Sequence, residues 1–426
     1  MSAQNQNPVG YWQLVRKNTN FRNLWFGQII SLLGDWFNLI ASASLIGMLT
    51  KSGIAVGGLF VIRMLAPFIV SPLAGVIADR YNRKMILILA DLTRALTVMG
   101  FLFVREPQQV WILYVLTAIQ LGISGFFFPA RSAILPDVVS SRELGGANAL
   151  GSATWSIMLS LGAALGGLVA GSWGIYPSFV IDASTFLVSA FFISRIVYQP
   201  VLTETTSSRS IRSAFTDYFE GLRYLKENIG IFVVALLKAS LSLGATGAFQ
   251  VIQVRLAEQI YVIGEGGSTS LGILYAVVGV GTGLGPIWAR KFTGDRDKAM
   301  RIAIAIAFVI TAVGLAITAP LPGFEVVLVG TVLRGFGGGL IWVFSTQLLL
   351  QLLPNRVRGR VFSTEFALQT LMAALASYAG GWGLDHPGIG ISGMLWMMTG
   401  LTLFFGLLWT VWLIFSPRLA KSSEAG

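Results

Sequence analysis

Eight ionisable side chains fall inside long apolar runs of this chain: Asp35, Arg63, Asp91, Arg94, Asp182, Lys238, Arg334 and Glu365. A charge at the centre of such a run costs about 2.5 to 3.5 kcal/mol on insertion scales, so these groups are expected to face a partner, a cavity or water. Their chemistry is that of charge. A carboxylate there can take up and release a proton or hold a cation, and a buried lysine or arginine can draw an anion. Gln28, Ser31, Asp35 and Asn38, with Gly27 and Gly34, share one face at helical spacing. Lys238, Ser242, Thr246, Gln250 and Gln253 repeat the pattern as a second polar wall. Asp91 and Arg94 are three apart and predict a structural salt bridge on one helix face. Counting about 1.5 Å per residue places Asp35 and Arg63 at similar depth, so a pair between them is geometrically allowed. Asp182 and Arg334 fall toward the outer half of their runs, and Glu365 reads as a helix-start charge.

Other chemistries find no residues. The chain has no cysteine and one histidine, His386, beside Asp385. Neither a Ser-His unit nor a histidine-rich metal site can be built, and no catalytic residue, metal or cofactor is expected. The glycines 279, 281, 283 and 285 lack the Lys-Ser/Thr that a phosphate loop requires, and read as helix packing.

The elements that must position the charges are membrane helices. Of 426 residues, 54% are hydrophobic and 12% charged, against about 25% charged in soluble domains. The mean hydropathy is +0.73. Twelve apolar spans are predicted, at 22–47, 54–78, 85–104, 109–129, 148–171, 176–195, 230–254, 269–289, 299–319, 325–350, 360–383 and 389–415. The charged turn Asp79, Arg80, Arg83, Lys84 directly after an apolar run marks a cytoplasmic side. With that orientation, 23 of the 30 Lys and Arg lie inside. The +11 net charge therefore reports orientation, and no nucleic-acid partner is expected. Trp25, Trp36 and most phenylalanines read as lipid contacts, while Phe126 to Phe128 and Trp342 are candidate cavity aromatics.

The chain also reads as duplicated. Leu135-Pro136-Asp137 after span four matches Leu353-Pro354-Asn355 after span ten, and Gly166-Gly167 matches Gly380-Gly381. Predicted segments are a cytoplasmic tail 1–20, a six-helix bundle 21–199, a linker 200–229, a second bundle 230–416 and a tail 417–426. Within the linker, Phe215, Tyr218, Phe219, Leu222 and Leu225 predict an amphipathic helix on the cytoplasmic face. Duplicated bundles with substrate sites near the midplane are a transporter architecture.

Gly75, Asp79, Arg80, Arg83 and Lys84 meet the loop signature of the major facilitator superfamily, which the chain resembles; Asn82 stands where glycine is usual, and is expected to tolerate a left-handed turn. Phe21 to Ser31, Phe128-Pro129-Ala130-Arg131 and Ala147-Asn148-Ala149-Leu150 are similar to the branch of macrolide-efflux proteins and enterobactin-type siderophore exporters. Span five reads Gly162-Ala163-Ala164-Leu165-Gly166-Gly167 without the proline of the antiporter motif, and Gln120 occupies the region where drug-proton antiporters carry an arginine.

The resemblance implies an all-α membrane protein with twelve transmembrane helices in two pseudo-symmetric six-helix bundles. It implies a secondary transporter of the drug-proton antiporter type in the plasma (inner) membrane, both termini cytoplasmic. The cytoplasmic gate motif would be Gly75, Asp79, Arg80, Asn82, Arg83 and Lys84, with Asp79 accepting from open amides at Val361 to Thr364. Asp35 is then the expected protonatable or cation-coupled group, with a proton or sodium as coupling ion. Lys238 and Arg334 would draw an anionic or polar part of a small-molecule cargo; the bland alternative makes all these charges fixed ion pairs. Export of a drug, macrolide or siderophore by a monomer in the lipid bilayer is the leading expectation. Alternatives are a lysophospholipid flippase, a metabolite uptake carrier or, from another class, a membrane-embedded enzyme or sensor.

Overall fold

A computed structural model describes residues 10–198 and 220–415, without the side chains at 72, 75, 76, 79, 80 and 356. Every regular element among the described residues is helical. In hydrocarbon this is forced, because a helix satisfies its backbone amides and carbonyls within one segment. A short α1 (Tyr11–Lys17) is followed by α2 (Thr19–Thr50), α3 (Gly53–Arg80), α4 (Arg83–Met99) and α5 (Val110–Val138). Next come α6 (Leu144–Ser172), α7 (Ile175–Ser194) and a short α8 at 220–227. The chain closes with α9 (Ile229–Ile260), α10 (Glu265–Thr293), α11 (Asp297–Thr318), α12 (Phe324–Leu352), α13 (Asn355–Asp385) and α14 (Gly390–Phe415). Eleven of these are long and apolar enough to span a membrane. The 31-residue α13 completes the expected twelve. Its first turns hold Arg356, Arg358 and Arg360, which lower its hydropathy.

Three local features depart from the sequence reading. The turn after α3 is shorter than the six residues expected, because helix continues to Arg80 and resumes at Arg83. Asn82 is not left-handed: its φ is −59°, and its side chain accepts from the Met85 amide as the N-cap of α4. Third, π-helical turns interrupt α6 at Met158–Gly162 and α9 at Ser242–Thr246 and Leu256–Ile260. Each adds a residue to a turn and rotates everything beyond it.

The chain divides into two compact units. The first comprises Met1–Leu45, Ala66–Ala214 and Ile263–Gly272. Within it α4 packs on α5 and α7, around buried Phe21, Leu24, Leu87, Phe127, Ile134 and Ile193. There α2 lies against α7 where its glycines fall, since a Cβ on Gly34 would collide with Asp182 and Thr185.

The second unit comprises Ile46–Leu65, Phe215–Val262 and Ile273–Gly426. In it α11 packs on α12 and α14, and α9 on α12 and α13. Residues 200–219 of the linker, with Phe215, Tyr218 and Phe219, lie outside the described residues. Leu225 of α8 is fully buried, and Glu220 pairs with Arg360 at 2.7 Å, docking α8 on the start of α13.

Candidate functional site

The first unit holds a charge cluster built on Arg94, whose side chain is 2% exposed. Asp91, one turn earlier on α4, accepts from Arg94 Nη2, as the three-residue spacing predicts. The other Asp91 oxygen accepts from Ser189 Oγ of α7 at 2.6 Å. Arg94 also donates to Ser31 of α2 at 3.3 Å and Ser124 of α5 at 3.4 Å. Its guanidinium carbon lies 4.6 Å from the Phe127 ring centroid and 4.2 Å from that of Phe186. Aromatic faces on a desolvated cation stabilise it further. Asp35 of α2 is the second carboxylate at this centre: its Oδ2 is 3.9 Å from Arg94 Nη1, beyond hydrogen-bond reach. The two carboxylates differ in access, Asp91 being sealed at 0% and Asp35 open at 24%. Asp182 lies fully buried beneath Gly34, next to Asp35 in sequence.

The second unit holds a closed pair. Lys238 of α9 and Glu365 of α13 are 3.1 Å apart, with side chains 7% and 3% exposed. The Lys238 ammonium sits 4.9 Å from the Trp342 ring centroid. Glu365 is therefore not a helix-start charge: α13 begins at Asn355, ten residues earlier, so Glu365 lies well inside it. Arg334 of α12 is 5% exposed, donates to Ala245 O at 3.2 Å and stacks 3.8 Å over Phe249. It makes no ion pair among the described residues. Arg63 and Arg334 both lie near Tyr275 of α10.

The polar linings divide. Gln28 accepts from Arg131 of α5, and Asn38, 1% exposed, accepts from Ser42 at 3.1 Å. On α9, Lys238, Ser242 and Gln253 are buried, whereas Thr246 and Gln250 are partly exposed. The π turn Ser242–Thr246 interrupts the predicted wall and changes its phase between Lys238 and Gln250. Trp25, expected against lipid, instead donates from its indole to Thr154 at 2.8 Å, and Trp36 packs against Gly162.

At the turn after α3, Arg83 pairs with Asp137 at 2.7 Å and donates to Ala133 O at 3.0 Å. Lys84 donates to Ser194 O and Ile196 O at 2.7 and 2.8 Å, tying the start of α4 to the end of α7. The surroundings of Gly75 and the side chains of Asp79 and Arg80, and hence the expected Asp79 contact with α13, lie outside what the structure describes.

Sequence reasoning missed a cap at the opposite end of α3. Asp385, just past the apolar part of α13, accepts from Gly53 N at 2.5 Å, Ser52 Oγ at 2.7 Å and Ile54 N at 2.9 Å. Arg255 lies 3.9 Å away. Burial alone would raise this carboxyl, but the Ile54, Ser52 and Gly53 donors and the Arg255 charge hold it below the ordinary carboxylate value. No signal links residues 332 apart. Ser189 was more accessible: Ser178, Asp182, Thr185 and Ser189 follow one another at steps of four, three and four along one face of α7.

BacE of Bacillus subtilis, provisionally named a bacilysin exporter, is 26% identical over 360 residues, covering 84% of this chain and 87% of BacE. Macrolide efflux protein A of Streptococcus pyogenes is 23% identical over 360 residues, covering 82% and 86%. The crystal structure of the nucleoside transporter NupG superposes with a TM-score of 0.73 over 92% of this chain and 98% of NupG, at 13% identity. That last likeness is one of fold. Residues 24–363 match the Major Facilitator Superfamily, and the chain belongs to that family of membrane transporters.

Proposed function

We propose that this protein is a proton-coupled exporter of amphiphilic small molecules, with Asp35 as the group that takes up and releases the proton. The supporting observation is that Arg94 serves two carboxylates on unequal terms. Asp91 is sealed and directly bonded, so it neutralises the guanidinium permanently. Asp35 is partly open, with its Oδ2 3.9 Å from the guanidinium. When Asp35 gains a proton, no buried charge is left alone; when it loses one, a cation is near enough to receive the anion. The same guanidinium argues for a proton over sodium. A metal ion on Asp35 would sit close to a fixed positive charge and meet mutual repulsion.

The export reading draws on BacE and macrolide efflux protein A, whose names describe exporters. Arg334, with no carboxylate partner among the described residues, is the cation that would draw a polar or anionic part of the cargo. Lys238 is already neutralised by Glu365 and acts in structure. Trp342, 42% exposed, offers an aromatic surface to the rest of the cargo. Alternating access would move the halves 21–199 and 230–416 in an inner membrane with both termini cytoplasmic. One proton entering gains about 2.3 kcal/mol per 100 mV of membrane potential.

Reconstituted protein should be offered labelled macrolides, siderophores and lysolipids under imposed pH or sodium gradients. The expected result is uphill movement of at least one drug or siderophore driven by the pH gradient alone. Movement of lysolipid only, or drive by sodium alone, would contradict the proposal.

A further inference from the structure

Leu284, Ile287, Trp288 and Lys291 recur at steps of three, one and three along one face of α10, and with Phe336 of α12 they line a groove of ≈ 390 Å³. The groove forms because the two backbones nearly touch: a Cβ on Gly285 would collide with the Phe336 carbonyl. Side chains then stand up on either side of the seam. The Trp288 ring centroid lies 6.0 Å from Phe336 and 4.8 Å from Phe292. Ile287, Trp288 and Phe292 are 65%, 57% and 63% exposed, so the apolar walls are open to their surroundings. The Trp288 indole N–H has no acceptor among the described residues.

The end of this groove is basic. Arg290, Lys291 and Arg296 stand there against Asp295, while Lys298 and Arg301 follow on α11 with Asp297, outside the lining. Both carboxylates are occupied, Asp295 by Arg290 at 3.0 Å and Asp297 by Arg301 at 2.7 Å. Lys291 pairs with no carboxylate among the described residues. Arg296 folds back to donate to Phe292 O at 2.7 Å and Thr293 O at 3.1 Å, which holds its cation at the end of α10. An apolar slot, a free indole donor and uncompensated cations thus follow one another along the helix, in the order tail, ester and phosphate of a lipid.

We propose that this groove binds an anionic phospholipid of the surrounding bilayer. The acyl chain lies along Leu284, Ile287 and Phe336, Trp288 donates to an ester carbonyl, and Lys291 and Arg296 meet the phosphate. Tryptophan at the level of the headgroups and basic residues beside it are the side chains that such a lipid requires. A zwitterionic lipid fills the slot but carries its own cation against Lys291, so it is bound less well. The site is independent of the transport reaction and of the cargo.

The full-length protein should be equilibrated in micelles with equal parts of phosphatidylglycerol and phosphatidylcholine, washed, and its retained lipids counted by intact-protein mass spectrometry. Wild type should retain phosphatidylglycerol in clear excess. Lys291→Gln and Arg296→Gln should each lower that ratio roughly fivefold, the factor given by the attraction of one basic side chain to an anionic lipid surface. Lys298→Gln removes the same charge away from the groove and should leave the ratio unchanged. Trp288→Leu should lower retention of both lipids. An equal ratio in wild type and the Lys291→Gln/Arg296→Gln variant, or an equal loss on Lys298→Gln, would overturn the proposal. If the charge variants do not purify folded, fluorescence quenching of Trp288, taken as wild type minus Trp288→Phe, must be greater with brominated phosphatidylglycerol than with brominated phosphatidylcholine; equal quenching overturns it as well.

Discussion

The two buried charge centres are built to opposite rules. In the first unit one guanidinium is shared by Asp91 and Asp35, and a serine hydroxyl completes the tighter contact. In the second unit Lys238 and Glu365 match one to one, both nearly sealed. A matched, sealed pair has no second state available at low cost, because removing either charge strands the other in a poorly solvated interior. A shared cation has two, since one carboxylate can be neutralised while the other still compensates it. A group proposed to gain and lose a proton is therefore to be sought where the count of partners exceeds need and one of them is open, as at Asp35.

That contrast can be broken most forcefully at its centre. Replacing Arg94 with Gln leaves Asp91 sealed and uncompensated, so we expect a loss of about 3 to 5 kcal/mol in stability. The melting temperature in detergent should fall sharply and transport should vanish; a variant that melts like wild type would mean Asp91 is already neutral. In the second unit, Glu365→Gln strands Lys238 and should cost about 3 kcal/mol. The double variant Lys238→Met/Glu365→Leu should regain most of that loss and still transport. Folded but inactive double variant would move the pair from structure into mechanism.

A smaller effect is expected at the Gly53 end of α3. Asp385→Ala removes the acceptor for three donors and should cost about 1 to 2 kcal/mol, the range for a lost helix cap. Because the folded carboxyl is held below its ordinary value, its contribution is full above the unfolded value of about 3.9. It is lost as pH falls through the folded value. Melting curves taken downward from neutral pH should therefore converge for wild type and Asp385→Ala in acid; a constant gap would contradict the cap's ionised state.

How much of this was legible in the sequence depended on range. Apolar runs point to the helices, because these follow from the bilayer acting on each segment alone. The Asp91–Arg94 pair was readable for the same reason, as its partners are one turn apart. Ser189, Ser124 and the Phe127 and Phe186 rings complete that site from other helices, and only the polar face of α7 hinted at them. The phase of the α9 wall is set by a π turn with no local signature, and Glu365 reads as a helix-start charge only because α13 starts earlier than its apolar run. The basic first turns of α13 hid its true beginning. Asn82 was assigned a left-handed role from a family pattern, whereas its position one residue before a helix makes capping the simpler use.

The most direct test is Asp35→Asn, which should barely change stability because Asp91 still neutralises Arg94. In proteoliposomes the variant should exchange labelled for unlabelled macrolide, or whichever compound wild type moves, yet fail to accumulate it under a pH gradient. Gradient-driven accumulation at the wild-type level in Asp35→Asn would contradict the account.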